Sequence, residues 1–372
     1  MRSSLPDPID TAAVSRALVT KLRHHGDVLL ASPVFTVLKR AIPEAELDAL
    51  VYRETAPMLE GHPAIAQIHL IDREWKRQGL LAQARAERAL LASLRARRYD
   101  LVVHLTEHPR GAWLVRLLKP RYSVGRHLEH AHRLWRSSFT HYYRLPRATP
   151  RHTVECNLDA LRRIGLQPAP GDKRLVLRPD DADAARADSL LAQHGLEARR
   201  FVHMHPGSRW LFKCWSPERY AALLDRIVVG GARVVLTAAP DARERALVDA
   251  IVSACAGPTR ARLVDLCGVL TLRELAALTH KARVFVGVDS APMHIAAAMG
   301  TPVVALFGPS GEVEWRPWAV AHRVVTSVEH PCRPCGNDGC GGGKVSECLT
   351  ELPVHRVDGA LTELLAETSD RV

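Results

Sequence analysis

The chain lacks any stretch of the roughly 18 consecutive apolar residues that a membrane-spanning helix needs. Its first ten residues include Pro6, Asp7, Pro8 and Asp10 and no apolar core of a secretory signal. The reading is of a cytoplasmic chain, where thiols stay reduced. No run of five like charges marks a basic or acidic tail. Familiar catalytic signatures are missing as well. No Gly-x-Gly-x-x-Gly opens a helix after the first strand, which removes the usual dinucleotide fingerprint. Gly343-Lys344 has the look of a phosphate loop, but Val345 follows it and Asp338 stands where the earlier glycine belongs. There is no His-Glu-x-x-His for zinc hydrolysis, and Gly308-Pro309-Ser310-Gly311 has the wrong spacing for a nucleophile elbow.

What is present is an ordinary globular composition, 47% hydrophobic and 24% charged, over 372 residues, enough for two domains. Lys and Arg (51) exceed Asp and Glu (40), giving a net charge of +11 spread along the chain. Such a surface attracts phosphates or anionic lipid headgroups, or is simply a solvated arginine-rich exterior. Residues 1–14 read as a flexible leader. Strand patterns then fall at 17–22, 47–52, 67–71 and 100–105, with helices at 33–41 and 80–98. Pro146, Pro150 and Pro168 surround a helix at 154–164 and mark a junction. The alternation restarts with strands at 201–205, 232–237, 262–266, 284–288 and 302–307. Between them lie helices at 217–229, 243–254, 271–280 and 293–299. This predicts an α/β chain of two doubly wound units, residues 15–171 and 172–351, followed by a terminal segment, 352–372.

Ligands of open α/β sheets bind at the carboxyl ends of strands, so the turns there are the candidate sites. Gly26-Asp27 follows the first strand; its carboxylate can take a proton from an acceptor hydroxyl, or it can cap the next helix. His205-Pro206-Gly207-Ser208 follows the strand at 201–205, and its backbone N–H groups can face a phosphate, with Lys213 supplying a cation. The strand at 284–288 runs into Asp289-Ser290-Ala291-Pro292-Met293-His294, where a helix starting near Ala291 offers its N-terminus to a diphosphate. Ser290 adds a hydroxyl donor and His294 lies one turn in; the plainer reading is a capped βαβ turn with a partly buried histidine. Asp241, after the strand at 232–237, is a candidate for ribose hydroxyls. Cys332, Cys335, Cys340 and Cys348 can bind zinc in principle, but they lack the paired Cys-x2-Cys repeat of zinc ribbons, so the segment reads as a reduced loop and no metal is assigned.

Together these residues resemble the heptosyltransferase family, glycosyltransferase family 9, which assembles the core of bacterial lipopolysaccharide. The resemblance is carried by Gly26-Asp27-Val28-Leu29 with Pro33 and Pro43-Glu44-Ala45, and by His205-Pro206-Gly207-Ser208 with Lys213-Cys214-Trp215. It continues through residues 287–297, Gly300-Thr301-Pro302 and Leu306-Phe307-Gly308. Residues 205–215 and 332–348 are most similar to the heptosyltransferase III subgroup. The resemblance implies a GT-B fold, two Rossmann-like domains facing a central cleft: an N-terminal acceptor-binding one and a C-terminal nucleotide-sugar-binding one, with the last helix crossing back to the first. It implies ADP-L-glycero-D-manno-heptose as donor, inversion at the anomeric carbon, and no cofactor or metal. Asp27 then matches the general base, Lys213 a phosphate-contacting lysine, and Asp289 and His294 the donor turn. Asp241 stands near the family's nucleoside acid. Arg23-His24-His25 replaces the small residues usual before Gly-Asp, so acceptor contacts are expected there.

The expected partners are ADP-heptose, a lipopolysaccharide core acceptor and the anionic inner face of the plasma membrane, on which a cytoplasmic protein of this charge would sit peripherally. No clustered basic-aromatic patch speaks for nucleic acid. Two alternatives stay open: a different GT-B nucleotide-sugar enzyme, separated by its donor, and a non-catalytic nucleotide-binding protein.

Overall fold

The computed structural model describes residues 7–146 and 149–368, and divides into two compact units between Arg178 and Pro179. The first unit holds a sheet of β1 (Arg16–Thr20), β2 (Glu46–Tyr52), β3 (Gln67–Ile71), β4 (Leu101–His104), β5 (Tyr122–Arg126) and β6 (His141–Tyr143), in the order β3-β2-β1-β4-β5-β6. Every neighbouring pair is parallel. Parallel strands are covered on both faces, so they read as near-continuous apolar runs; Leu47, Ala49, Leu50 and Val51 of β2 are all buried. The helix Ser32–Ala41 buries Val34, Phe35, Val37 and Leu38, one face of a 3.6-residue period. The chain order reverses between β1 and β4, which makes the carboxyl ends of those two strands the switch point where such sheets take ligands.

The second unit repeats the plan with β7 (Phe201–His205), β8 (Arg233–Leu236), β9 (Leu263–Asp265), β10 (Val284–Val288), β11 (Val303–Phe307) and β12 (His322–Thr326), ordered β12-β11-β10-β7-β8-β9. These pairs are parallel too, and the reversal falls between β7 and β10. Gly287 of β10 sits opposite His205 of β7. A Cβ there would come within 2.9 Å of the His205 carbonyl oxygen and 2.8 Å of the Phe285 ring, so position 287 has no room for a side chain. The α/β class and the two doubly wound units stand as expected.

Two expectations need correction. Within the leader, residues 1–6 lie outside the described residues, but residues 7–14 are docked. The Asp7 N–H donates to the Arg163 carbonyl at 3.0 Å, the Ile9 N–H to Ile164 at 3.2 Å, and Ile9 and Val14 are buried. The unit boundary falls past residue 171 because residues 172–178 still belong to the first unit. Arg40 pairs with Asp172 at 2.7 Å, and the Val176 N–H donates to Ser32 Oγ at 3.0 Å. The last helix, Val354–Glu367, packs on the second sheet, with Val357, Leu361 and Leu364 in one cluster with Val304, Leu306 and Val325. No helix among the described residues is long and apolar enough to cross a membrane.

Candidate active site

In the first unit, the chain leaves β1 through Lys21 and turns into the short helix His25–Leu29. Lys21 is buried; its ammonium donates to the Leu105 carbonyl at 3.3 Å and to Asn157 Oδ1 at 3.0 Å. Asn157 in turn donates to the Leu30 carbonyl at 3.0 Å, so one lysine ties the ends of β1 and β4 to the helix Thr153–Arg163. Burial lowers the Lys21 ammonium to about 8, while the charge of nearby Asp27 opposes that fall. Asp27 lies in the first turn of its own helix and is half-buried. Its carboxylate has no hydrogen-bond or ion-pair partner among the described residues. The capping role does not apply: the following helix, Ser32–Ala41, starts at Ala31 with no side-chain cap. Of the residues before it, Arg23 is exposed, His24 takes the cap position, and His25 Nε2 lies 2.8 Å from the Glu54 carbonyl oxygen. At the carboxyl ends of β2 and β3 is a pocket of about 210 Å³ lined by Tyr52, Asp72, Arg73, Lys76, His108 and Arg110.

In the second unit, the turns after β7 and β10 flank the switch point. Lys213, at the end of the turn Leu211–Lys213, reaches Asp289 just past β10, Nζ to Oδ2 2.6 Å, and lies 5.3 Å from the Trp210 ring centre. Ser290 occupies the cap position of the helix Ala291–Ala298, yet its buried hydroxyl caps nothing and has no hydrogen-bond partner among the described residues. Pro292 stands in the first turn, where its missing N–H is harmless. Two predicted contacts turn inward instead. Met293 is fully buried among Phe285, Val303 and Phe307, and His294 is buried with its ring 6.4 Å from that of Trp315.

On the other side of β7, His205 is buried, with Nδ1 2.9 Å from Thr237 Oγ1 and Nε2 3.7 Å from Glu244 Oε2. Gly207 packs directly on Glu244: a Cβ there would fall 2.4 Å from Oε2. Ser208 is buried beside it, accepting from the Trp210 N–H at 3.3 Å. Burial pushes the Glu244 carboxyl up, but contacts from His205 and the Ala239 N–H outweigh it and hold the group below the usual carboxylate range. The buried acid at this edge is therefore Glu244. Asp241 is spent locally, its Oδ1 accepting the Arg243 N–H at 2.9 Å while its exposed side chain pairs with Arg243. Glu244 has a sequence signal of its own, since Asp-x-x-Glu is a capping-box pattern; here the glutamate leaves the cap and accepts from Ala239. Lys21 left only a weak signal, a cation at the end of an apolar strand; its standing comes from its burial and its contacts with Leu105 and Asn157. Burial raises the Cys348 thiol, and Cys332, Cys335 and Cys340 lie near enough to help raise it, but among the described residues no three of the four bring their sulfurs within 4.8 Å of one another. Cys332, Cys335 and Cys340 are exposed and Cys348 is buried, and the ligand-type group with atoms within 4.8 Å of one another among the described residues is His330, Glu347 and Glu351.

The family model Glycosyltransferase family 9 (heptosyltransferase) matches residues 87–345. Lipopolysaccharide heptosyltransferase 3 of Escherichia coli is 36% identical over 303 residues, which cover 80% of this chain and 85% of that protein. Among solved structures, the glycosyl transferase family 9 from Veillonella parvula DSM 2008 superposes with a TM-score of 0.79 at 23% identity, covering 95% of this chain and 97% of that one. E. coli ADP-heptose lps heptosyltransferase II superposes with a TM-score of 0.74 at 22% identity, covering 95% and 99%. At these identities the two structures bear on the fold alone.

Proposed function

Because the chain belongs to glycosyltransferase family 9, the heptosyltransferases, we propose that it transfers L-glycero-D-manno-heptose from ADP-heptose to the inner core of lipopolysaccharide, at the third heptose addition, with inversion and without a metal ion. The kinship with E. coli lipopolysaccharide heptosyltransferase 3 supports the choice of step. The observation that carries the reading is the constellation at the second switch point: a lysine held 2.6 Å from Asp289, beside a helix N-terminus whose Ser290 hydroxyl is buried and unsatisfied. A cation, a hydroxyl donor and a helix N-terminus converging on one strand end are what a diphosphate needs.

In this mechanism the second unit holds the donor. Lys213 and Ser290 bind the diphosphate and the Gly207 turn approaches it through backbone. Glu244 takes the ribose-hydroxyl role first sought at Asp241. On the first unit, Asp27 removes the acceptor proton as the bond to the anomeric carbon forms. The sugar passes through an oxocarbenium-like state and ADP departs from the opposite face, which inverts the centre. Each fixed donor aimed at the leaving diphosphate supplies about 3 kcal/mol of transition-state stabilisation. In the pocket beside Arg73, Lys76 and Arg110, where Arg73 pairs with Glu54 and Arg110 with Glu87, Lys76 is the cation without an ion pair among the described residues and suits an acidic group on the acceptor. That acceptor is lipid-anchored, and a net charge of +11 favours an anionic inner-membrane surface as the place of work.

The test is ADP release from ADP-heptose with truncated lipopolysaccharide acceptors, in EDTA, for wild type and Asp27→Ala. Acceptor-dependent release that disappears in the variant, with ADP affinity unchanged, is the expected result. Release from a different nucleotide sugar, or none with any acceptor, would overturn the donor or the transferase reading respectively.

A further inference from the structure

The helix Leu80–Arg97 is out of keeping with its fold: of its 18 residues only Leu94 is buried. Leu80 and Leu81 are 85% and 88% exposed. Beside it the helix Arg110–Leu118 buries Ala112, Leu114 and Val115 but leaves Trp113 55% and Leu117 40% exposed. An open groove of about 520 Å³ runs between the two, lined by Leu90, Leu91, Trp113, Leu114 and Leu117. Leu80, Gln83, Glu87 and Leu91 recur at helical spacing, so Leu80 extends the groove's line toward the start of the helix.

Charge decides what can cover this face. Glu87 is the one acidic residue in either helix, and Arg110 neutralises it with two contacts of 2.7 Å. Arg85 and Arg88 are exposed and have no ion pair among the described residues; Lys119 and Arg121 continue the positive rim just past the second helix. Exposed leucines, a half-exposed tryptophan and Arg88 along the groove, with Arg85 on the outer side of the same helix, match a bilayer surface, where apolar side chains enter the headgroup boundary and cations meet anionic lipid.

We infer that the face formed by the helices Leu80–Arg97 and Arg110–Leu118 docks onto an anionic lipid bilayer. Leu80 starts its helix at the carboxyl edge of the first sheet, the edge from which Asp27 leaves β1. Docking through that end therefore turns the proposed base toward a lipid-anchored acceptor. The purpose, though not the binding itself, rests on the transferase reading.

The experiment is co-sedimentation of the full chain with vesicles of phosphatidylcholine alone or mixed with phosphatidylglycerol. Wild type is compared with Arg85→Glu/Arg88→Glu, Leu80→Ser/Leu81→Ser/Trp113→Ser, and a control pair on the second unit, Arg186→Glu/Arg262→Glu. Wild type and the control pair bind the anionic vesicles and not phosphatidylcholine alone. The arginine variant partitions about thirty-fold less or weaker still, at ~1 kcal/mol per basic residue, and the leucine–tryptophan variant loses the binding that survives high salt. Melting curves establish that each variant is folded, and ADP release with a short-chain soluble acceptor stays at the wild-type level in all of them. Wild type ignoring anionic vesicles, or the control pair losing as much as the arginine variant, overturns the docking face. Absence of ADP release in wild type with vesicle binding intact would instead overturn the transferase reading.

Discussion

Lys213 and Asp289 are 76 positions apart in sequence, and their meeting at 2.6 Å carries more of the proposed chemistry than any single motif. A mostly buried ion pair is weak evidence for stability, since two charges have been taken out of water; its plainer value is to aim the ammonium. Lys213→Met should lower kcat/KM by roughly a hundred-fold through both donor affinity and the chemical step. Lys213→Arg should recover only part of that, as a planar guanidinium does not replace a point charge. Steady-state kinetics with ADP titration separates the two effects. Gly207→Ala is a sharper probe, because the new methyl would sit 2.4 Å from Glu244 Oε2 and the buried carboxylate has to move. ADP affinity should fall about ten-fold or more, at ~1.4 kcal/mol per decade; wild-type affinity would remove the Gly207 turn from the donor site. Asp27, Lys213 and Ser290 were legible because strand-end turns are local in sequence. Glu244 and Lys21 were not, because their standing depends on burial and on partners such as Ala239 and Asn157 that only the fold supplies. Met293 misled for the same reason: its place in the motif said nothing of the core it fills.

At the scale of elements, the segment at residues 7–14 shows how a polar, proline-containing stretch can be structural. Its N–H groups bond to the end of the helix Thr153–Arg163, and Ile9 and Val14 enter the core. Removing it through Val14 should cost about 3–6 kcal/mol, taking 1.5–3 kcal/mol for each buried aliphatic side chain, and urea denaturation of the truncated chain measures it. An unchanged midpoint would mean that the contacts contribute nothing. Most inner strands were readable because burial on both faces demands uninterrupted apolar residues, as in β7, β10 and β11, whereas β5, with Tyr, Ser, Gly and Arg among its five residues, was missed. Of the four edge strands, β3 and β9 were read and the other two were not. β6 is three residues, His141–Tyr143, and β12 opens on His322 and Arg323 with most of its residues only partly buried. An edge strand needs apolar residues on fewer sides, so its sequence blends with loop. The helix Asp181–Gln193 escaped notice because its alanine- and aspartate-rich face packs only through Ala187, Leu190 and Leu191.

For the whole molecule, two units with the same strand order also share a sensitivity to acid. Burial holds the His62 imidazole down to about 4 and those of His104 and His203 to about 3. His62 and His104 belong to the first unit, His203 to the second. Each folded value lies below the ordinary 6.5, so as pH falls past 6.5 the unfolded chain takes up protons that the folded one refuses. Their contribution is full above pH 6.5 and is lost toward pH 4 and 3, each at about 1.4 kcal/mol per pH unit. Asp48 adds to the same slope lower down. Burial pushes its carboxyl up, but contacts from His69, Arg97 and Tyr99 outweigh that and set it near 2, so its contribution is lost as pH falls from the ordinary 3.8 through that value. Lys21 acts at the opposite end with the same sign. Its folded value of about 8 lies below the ordinary 10.5, so the penalty for burying its charge is present below pH 8 and is relieved as pH rises from there to 10.5. Stability to urea should therefore fall steeply from pH 6.5 to 4.5 in both units and hold or rise between pH 8 and 9. Unfolding followed at pH 4.5, 6.5, 8 and 9 tests this directly. A midpoint flat from pH 6.5 to 4.5 would mean that the buried histidines reach solvent in the folded protein, and an acid loss confined to one transition would mean that only one unit keeps them sealed.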